Sequence, residues 1–359
     1  MNPTEINDKR LAKEFKGISF SGYKKSDSKK ELLNSLSNGR IEQACYWAAE
    51  FICAGHLLEL WDIIIIYMSK YIHLGNPKLP LYLQLRFNNF KDILINGYIG
   101  NEIKLRNNKK IRSLFAEIIA ILCLSTKKHT LSAIKVDKKE FNMANLTDKL
   151  KADSISYANP IYLKDDPKEL FIAMNELAYN LSGKQNNNIR ACYWIEWIME
   201  FENTCKKDKK DKLKCTPRHF ASVDTKLKSD PIWMIWEILL IEAANRSKAV
   251  KKLADALLDL FTIKYKAGSK RKRKFILYNT VSLITEVVRF DTPIYTETDK
   301  IEVMKQNIDV IYKQIKKNEI RPNTDYLFNN SFTNGERNLE NTLKKLDKMN
   351  NALFIPRDK

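Results

Sequence analysis

Three stretches of this sequence hold residue types that could do chemistry. Gly17-Ile18-Ser19-Phe20-Ser21-Gly22-Tyr23-Lys24-Lys25-Ser26 comes near a phosphate-binding loop, in which glycine-rich backbone amides cradle phosphates and a lysine completes the grip. The lysine should follow the second glycine directly, and here Tyr23 intervenes. Lys9 to Lys16 is too charged for the buried strand that such a loop needs, so a basic turn is the better reading. Cys205, Cys215 and His219 offer three zinc-ligating groups, but the spacing Cys-x9-Cys-x3-His has neither a close Cys-x2-Cys pair nor a fourth ligand. His56, His73 and His129 stand singly at helix ends or turns. No nucleophile is paired with a base and no carboxylate set is spaced for a metal, so neither an enzyme nor a cofactor is expected.

The third stretch, Lys270-Arg271-Lys272-Arg273-Lys274 after Gly268-Ser269, is the densest cation cluster. It sits at a helix start, where positive charge opposes the helix dipole. A bound anion would offset that cost, and phosphate backbone is the natural candidate; a nuclear-import signal and a solvated corner are the competing readings. Together with Lys24 and Lys25, these five residues form the expected nucleic-acid contact. The whole chain agrees in sign: 62 Lys and Arg against 43 Asp and Glu leave a net charge of +19, which favours DNA or another polyanion, or an acidic protein surface. A Lys-, Asn- and Ile-rich composition is also what an A/T-rich genome produces wherever surface identity is free.

The elements that must position these groups read as helices. Hydrophobic residues make up 44% of 359 positions, enough for a real core. Ala44-Cys45-Tyr46-Trp47 recurs as Ala191-Cys192-Tyr193-Trp194, and Trp61-Asp62-Ile63-Ile64 is echoed by Trp236-Glu237-Ile238-Leu239. The repeat predicts a duplicated helical bundle whose units bury Tyr46, Trp47, Trp61, Tyr193, Trp194, Trp233 and Trp236 between them. Base stacking by the Trp194/Trp197 and Trp233/Trp236 pairs is the rarer use of such spacing. Trp47 to Trp61 is 14 residues and Trp194 to Trp236 is 42, so the second copy carries 28 more, including the charge run Lys206 to Lys212.

The class is mainly α, with a basic arm over 1–30, a first unit over 31–125 and a connector with short helices over 126–187. A second unit follows over 188–318 with a basic insertion at 203–230, then a polar tail over 319–359. Spacing predicts helices over Leu57 to Ile72, Leu79 to Asn96, Asn108 to Leu124, Pro231 to Asn245, Lys248 to Ile263, Lys274 to Arg289 and Asp299 to Lys317. Gly55 is placed to end one helix. At Gly75-Asn76-Pro77, Pro77 disfavours helix at Asn76 while Gly75 supplies a left-handed cap. Asp165 or Asp166 would cap a helix entered at Pro167. The tail is expected to dock through Tyr326-Leu327-Phe328 and Leu353-Phe354-Ile355. Cys45, Cys53, Cys123 and Cys192 lie in apolar pattern and read as buried thiols in a reducing compartment. The polar N-terminus lacks a secretory signal core, and no apolar run is long enough to span a membrane.

Two resemblances add context. Arg40 to Leu81, with Cys45-Tyr46-Trp47, Ala54-Gly55-His56 and Leu74-Gly75-Asn76-Pro77, resembles the helical collar of clamp-loader-type AAA+ proteins of the replication-associated recombination group. Those collars carry an Ala-Leu-Tyr-Trp helix and a second helix ending in Gly-Leu-Ala-Asp-Pro. This chain has Asn76 in place of the Asp and lacks the ATPase module, so the likeness implies an oligomerising module without an ATPase. Over nearly its whole length the chain also resembles a conserved protein family of nucleocytoplasmic large DNA viruses. That likeness rests on Gly17 to Leu33, His73 to Phe90, Asp165 to Phe171 and Ala191 to Glu200. It implies a viral factory in the host cytoplasm or a virion, with the nucleus also open. The expected function is a non-catalytic scaffold that binds nucleic acid or a replication, transcription or packaging complex of such a virus, as monomer or homo-oligomer. The alternative is a minor capsid or internal virion protein that turns its basic surface to acidic partners.

Overall fold

Apolar residues at three-to-four spacing bury one stripe of a helix, and the described residues are mainly α-helical. The computed structural model describes residues 4–208 and 213–320; the end of the charge run and the two apolar triplets of the tail lie outside the described residues. Helices α1 (Lys25–Ser37), α2 (Ile41–Cys53), α3 (Leu57–Tyr67), α4 (Leu79–Ile95) and α5 (Lys109–Leu124) come first. A connector of short 3-10 turns leads to α6 (Phe171–Leu181), α7 (Asn188–Asp208), α8 (Ile232–Arg246) and α9 (Lys248–Thr262). The single-turn α10 (Ser269–Lys272), α11 (Lys274–Thr285) and α12 (Thr298–Lys316) complete the described chain. Gly55 ends α2 at φ +78, as its spacing predicts, and the Asn108 side chain caps α5 by accepting the Ile111 amide at 3.2 Å.

Gly75 acts differently from the cap that its sequence context predicts. The left-handed residue is His73, at φ 49, just beyond the π turn Met68–Ile72 that extends α3. Burial pushes the His73 imidazole down to about 4, so it is neutral at pH 7. Gly75 is needed for space: a Cβ there would lie 2.2 Å from the Thr126 carbonyl oxygen. That close approach lets the chain after α5 pair with the π turn, Lys128 N donating to Ile72 O at 3.2 Å and Thr130 N to Lys70 O at 3.0 Å.

Helices α1, α2 and α5 pack together, and α12 closes their bundle. A boundary at 318 assigns α12 to the second unit, but its stripe Ile301, Met304, Ile308, Ile311 and Ile315 is buried against α2 and α5. There the Arg112 guanidinium lies 3.8 Å from the Tyr312 ring centroid and reaches Asp309 at 2.9 Å. The basic arm is likewise part of the core. Ile6, Phe15 and Phe20 are buried, and the buried Arg106 and Arg112 donate to Asp8 O at 3.0 Å and Thr4 O at 2.9 Å. In the second set α6 packs on α7 and α8 on α9, with α11 against α7, α8 and α9.

The aromatic residues expected between the two sets lie within each set. Trp61 meets Phe87 and Phe115 of its own set at centroid distances of 5.1 and 5.5 Å, and Trp236 meets Phe261 at 5.3 Å. Trp194 and Trp233 are buried beside Trp197 and Phe261, whereas Tyr46, Trp47 and Tyr193 are half-buried. The sets meet instead where α4 packs on α9 and α11 packs on the π turn. Both sets run through the same order, a helix pair, a Trp-bearing helix, a helix that receives that Trp, a short turn and a closing helix.

The connector and the insertion are fixed by one buried guanidinium. Arg218 donates to both oxygens of Asp166 at 2.8 and 2.7 Å, to Ile161 O at 2.7 Å and to Glu237 of α8 at 2.8 Å. Asp166 is thus an ion-pair partner, not a helix cap. Burial pushes its carboxyl up, but Arg218 and the Leu163 and Thr216 amides together hold it below the ordinary value.

Two outcomes are expected. Gly75→Ala lowers stability by about 1–3 kcal/mol through the clash with Thr126, read as a shift in urea midpoint. Asp166→Asn removes the fully buried one of the two carboxylates that match Arg218, leaving only the partly exposed Glu237, and costs about 3 kcal/mol at pH 7. A carboxyl whose folded pKa is depressed contributes stability above its unfolded pKa and loses it as pH falls through the folded value. The gap between Asp166→Asn and the parent chain should therefore narrow below about pH 4, which urea melts at pH 7 and pH 3 would measure.

Candidate functional site

The cation cluster is built by the turn from α9 into α11. Ser269 accepts the Lys266 amide on its side-chain oxygen at 3.2 Å and donates its own amide to Lys266 O at 2.7 Å, which starts α10. This turn aims the first and fourth cations inward. Lys270 is 7% exposed, and its ammonium sits between Asp230, at 2.8 and 3.0 Å, and Glu202 of α7. The Tyr265 hydroxyl also donates to Asp230, at 3.2 Å. Arg273 is 3% exposed; it donates to Phe261 O at 2.6 Å and reaches across to Asp62 of α3. Arg271 pairs with Glu200 at 2.6 Å and Lys274 with Glu196 at 2.7 Å, while Tyr278 donates to the same Glu196 at 2.6 Å.

Four of the five cations expected to meet phosphate are therefore matched by acids of the chain itself, three of them on α7. Lys272 is exposed, and no ion pair involves it among the described residues. The helix-start repulsion that predicts an external anion is offset from within. Of the other two expected contacts, Lys25 pairs with Glu59 at 2.7 Å and Lys24 is exposed at the start of α1.

What remains outward forms a basin beside the cluster, about 570 Å³ in volume, between the end of α7, the 213–230 segment and the turn before α10. Lys206, Lys214, Lys226 and Arg271 line it and are exposed, and Lys270 with Glu202 and Asp230 forms its floor. Burial pushes the Glu202 carboxyl up and the Lys270 charge pulls it back, leaving it above its ordinary value. The 213–230 wall is held by Cys215 N donating to Ser229 O at 3.0 Å, Arg218 N to Lys228 O at 3.0 Å and Trp233 Nε1 to Leu227 O at 2.7 Å. Sequence reasoning reads Lys206 to Lys212 as a solvated charge run and gives Lys214 and Lys226, elsewhere in the basic insertion, no role. The signal it misses is Arg218, a lone arginine in a lysine-rich segment, where a planar fork rather than a point charge is required.

The other two chemical candidates are also placed. In the Gly17–Ser26 turn, Ser19 N donates to Tyr23 O at 2.8 Å, and the Ser21 amide and hydroxyl donate to the buried Glu50 carboxylate at 2.9 and 2.5 Å. A carboxylate of the protein thus occupies donors that a phosphate loop would offer its ligand, and a 3-10 turn precedes it in place of a strand. Cys205 and Cys215 are buried while His219 is exposed, and among the described residues no three His, Cys, Asp or Glu side chains are grouped to hold a metal ion. No helix of the described residues is long and apolar enough to cross a membrane. No protein-family model, curated protein or solved structure matches this chain.

The buried and exposed cations should separate cleanly. Lys270→Met leaves Glu202 and Asp230 facing each other and costs about 3–5 kcal/mol near neutral pH. Because a carboxyl with a raised pKa destabilises the fold as pH rises through the folded value, the deficit should shrink as pH falls from 8 toward the carboxylate range and Glu202 takes up a proton. Lys272→Glu should stay within about 0.5 kcal/mol of the parent chain, and thermal melts across that pH range test both.

Proposed function

We propose that this chain is a non-catalytic helical scaffold that binds nucleic acid, with the setting in a large DNA virus taken from the sequence resemblance. The observation that carries the reading is the basin. Three exposed lysines, Lys206, Lys214 and Lys226, converge on one concavity beside Arg271, which Glu200 pairs, with Lys272 exposed on the adjoining α10. The walls carrying them are ordered by backbone and indole hydrogen bonds, so binding need not first order the segment that presents the charge. The net charge of +19 adds long-range attraction for a polyanion. The acids on the floor repel phosphate, so a backbone would follow the rim and leave the Lys270 network intact. Lys24, Lys29 and Lys30, exposed around α1, provide a second cationic area.

A repeat-built scaffold accords with the parallel order of the two helix sets and with the equivalent placement of Trp61 and Trp236. The alternative, a virion protein that binds an acidic protein, draws on the same basin and on the half-buried aromatic pair Tyr46 and Trp47, since such residues anchor protein interfaces.

Anisotropy of labelled duplex and single-stranded DNA, titrated with the full chain from 50 to 200 mM salt, tests the proposal. Lys206→Glu, Lys214→Glu and Lys226→Glu together should weaken binding by ten-fold or more and reduce the salt slope for duplex by about 3, close to 0.9 for each phosphate left without its lysine. Lys24→Glu should have a smaller effect. A slope unchanged in the triple variant would sink the basin as the contact, and no binding at physiological salt would move the charge to a protein partner.

A further inference from the structure

Helix α12 buries one apolar stripe and leaves beside it an exposed row that mixes valine with polar residues. Ile301, Met304, Ile308, Ile311 and Ile315 are buried against α2 and α5. Beside them runs a second row, Lys300, Val303, Asn307, Val310 and Gln314, spaced alternately by three and four residues. That is the spacing of a coiled-coil seam, with valine at both positions of one kind and a central asparagine among those of the other. The two valines are 55% and 53% exposed. With Ile41, Tyr46 and Trp47 of α2 the row lines a groove of about 690 Å³. The two valines face the half-buried Tyr46 and Trp47 across the groove, and Lys300, Asn307 and Gln314 alternate with them, a mixed seam that fits a reversible contact better than a permanent one.

We infer that this groove is a self-association site in which α12 of a second copy lies antiparallel on the first. Charge decides the orientation. A parallel, in-register pairing would set Lys300 against Lys300. The antiparallel register that places Val303 beside Asn307 of the second copy, and Lys300 beside its Val310, puts Asp299 opposite Lys313 on the flanking row. Twofold symmetry makes that pair twice. Asp299 and Lys313 are both exposed, and each lies on the side of the seam away from α2. In this arrangement the helix dipoles also oppose each other, and the Lys300 stem can cover Val310 while its ammonium stays in water beside Glu297, its partner within the chain. A helix of 19 residues is about 28 Å long. The contact is thus at the small end of protein interfaces, and dissociation in the micromolar range is expected.

Sedimentation equilibrium of the full chain from 1 to 200 μM is the test. A reversible dimer is expected, weakened about ten-fold by Asp299→Lys or Lys313→Asp alone and restored to within about two-fold when both are present in one chain. Val303→Asp with Val310→Asp should give a monomer with an unchanged melting temperature, because both side chains are exposed. Trp47 supplies an independent readout: it is half-buried, while Trp61, Trp194, Trp197, Trp233 and Trp236 are at most 3% exposed. Its acrylamide quenching should fall as the dimer forms. A chain that stays monomeric at 200 μM overturns the inference. So does a double charge swap that fails to restore association, or Trp47 protection that is independent of concentration, which would assign the groove to another occupant.

Discussion

A cation removed from water must meet a carboxylate or a set of carbonyls, and in this molecule that requirement fixes which segments of chain can lie together. Arg112 joins α5 to the N-terminal segment and to α12 through Thr4 O and Asp309. Arg218 joins the insertion to the connector and to α8 through Asp166 and Glu237. Arg273 joins the two helix sets through Asp62, and Lys270 joins α10 to α7 through Glu202 and to the segment entering α8 through Asp230. Apolar burial supplies most of the driving force for folding, but it is indifferent to small rotations of one helix on another. A docking that left any of these charges unmatched would forfeit about 3–5 kcal/mol, so the ion pairs select among packings that the apolar surfaces alone would tolerate.

The same requirement changes what the net charge means. The run at 270–274 is the densest stretch of positive charge in the sequence, yet most of it is neutralised by Glu196, Glu200 and Glu202 on one helix and by Asp62 and Asp230. The outward charge is instead carried by lysines that are separated in the sequence and gathered in space, such as Lys206, Lys214 and Lys226, which form no ion pair among the described residues. A charge cluster in the linear text measures local composition, and a field is set by what remains unpaired after folding.

Much of the fold is legible in the sequence because it is local. The three-to-four spacing of apolar residues locates the helices to within a few residues, and Gly55 ends α2 as its placement predicts. What is not legible is long-range. An amphipathic stripe such as that of α12 states that a helix will be buried without naming what receives it, so its return to α2 and α5 cannot be read. Gly75 looks like a cap because glycine and left-handed backbone usually go together, whereas its role is set by Thr126, brought next to it only after α5 has packed. The candidate site shows the limit most clearly. The cations of 270–274 are visible, but the acids of α7 that match them stand roughly 70 residues earlier. The clue that is present lies on α7 itself, where Glu196, Glu200 and Glu202 interrupt a helix otherwise rich in aromatic and aliphatic residues, a pattern that calls for buried partners.

The two helix sets also differ in a way that bears on their proposed duplication. In the second, the face of α7 after the shared tetrapeptide is covered: Tyr193 donates to Glu140 at 2.6 Å, Trp197 donates to the Glu140 carbonyl at 3.2 Å, and Phe141 lies 5.5 Å from the Trp197 ring. The residue of α2 three beyond its tetrapeptide is Glu50 instead of tryptophan, and it is satisfied by Ser21. A carboxylate there accepts the Ser21 amide of a tight turn, which covers less of the face than the connector does, and Tyr46 and Trp47 stay half-open against α12. If the sets descend from one unit, a single change of residue type at this position separates a face closed by its own connector from a face left open. Divergence of that kind would leave the core intact while giving one copy a surface that the other lacks.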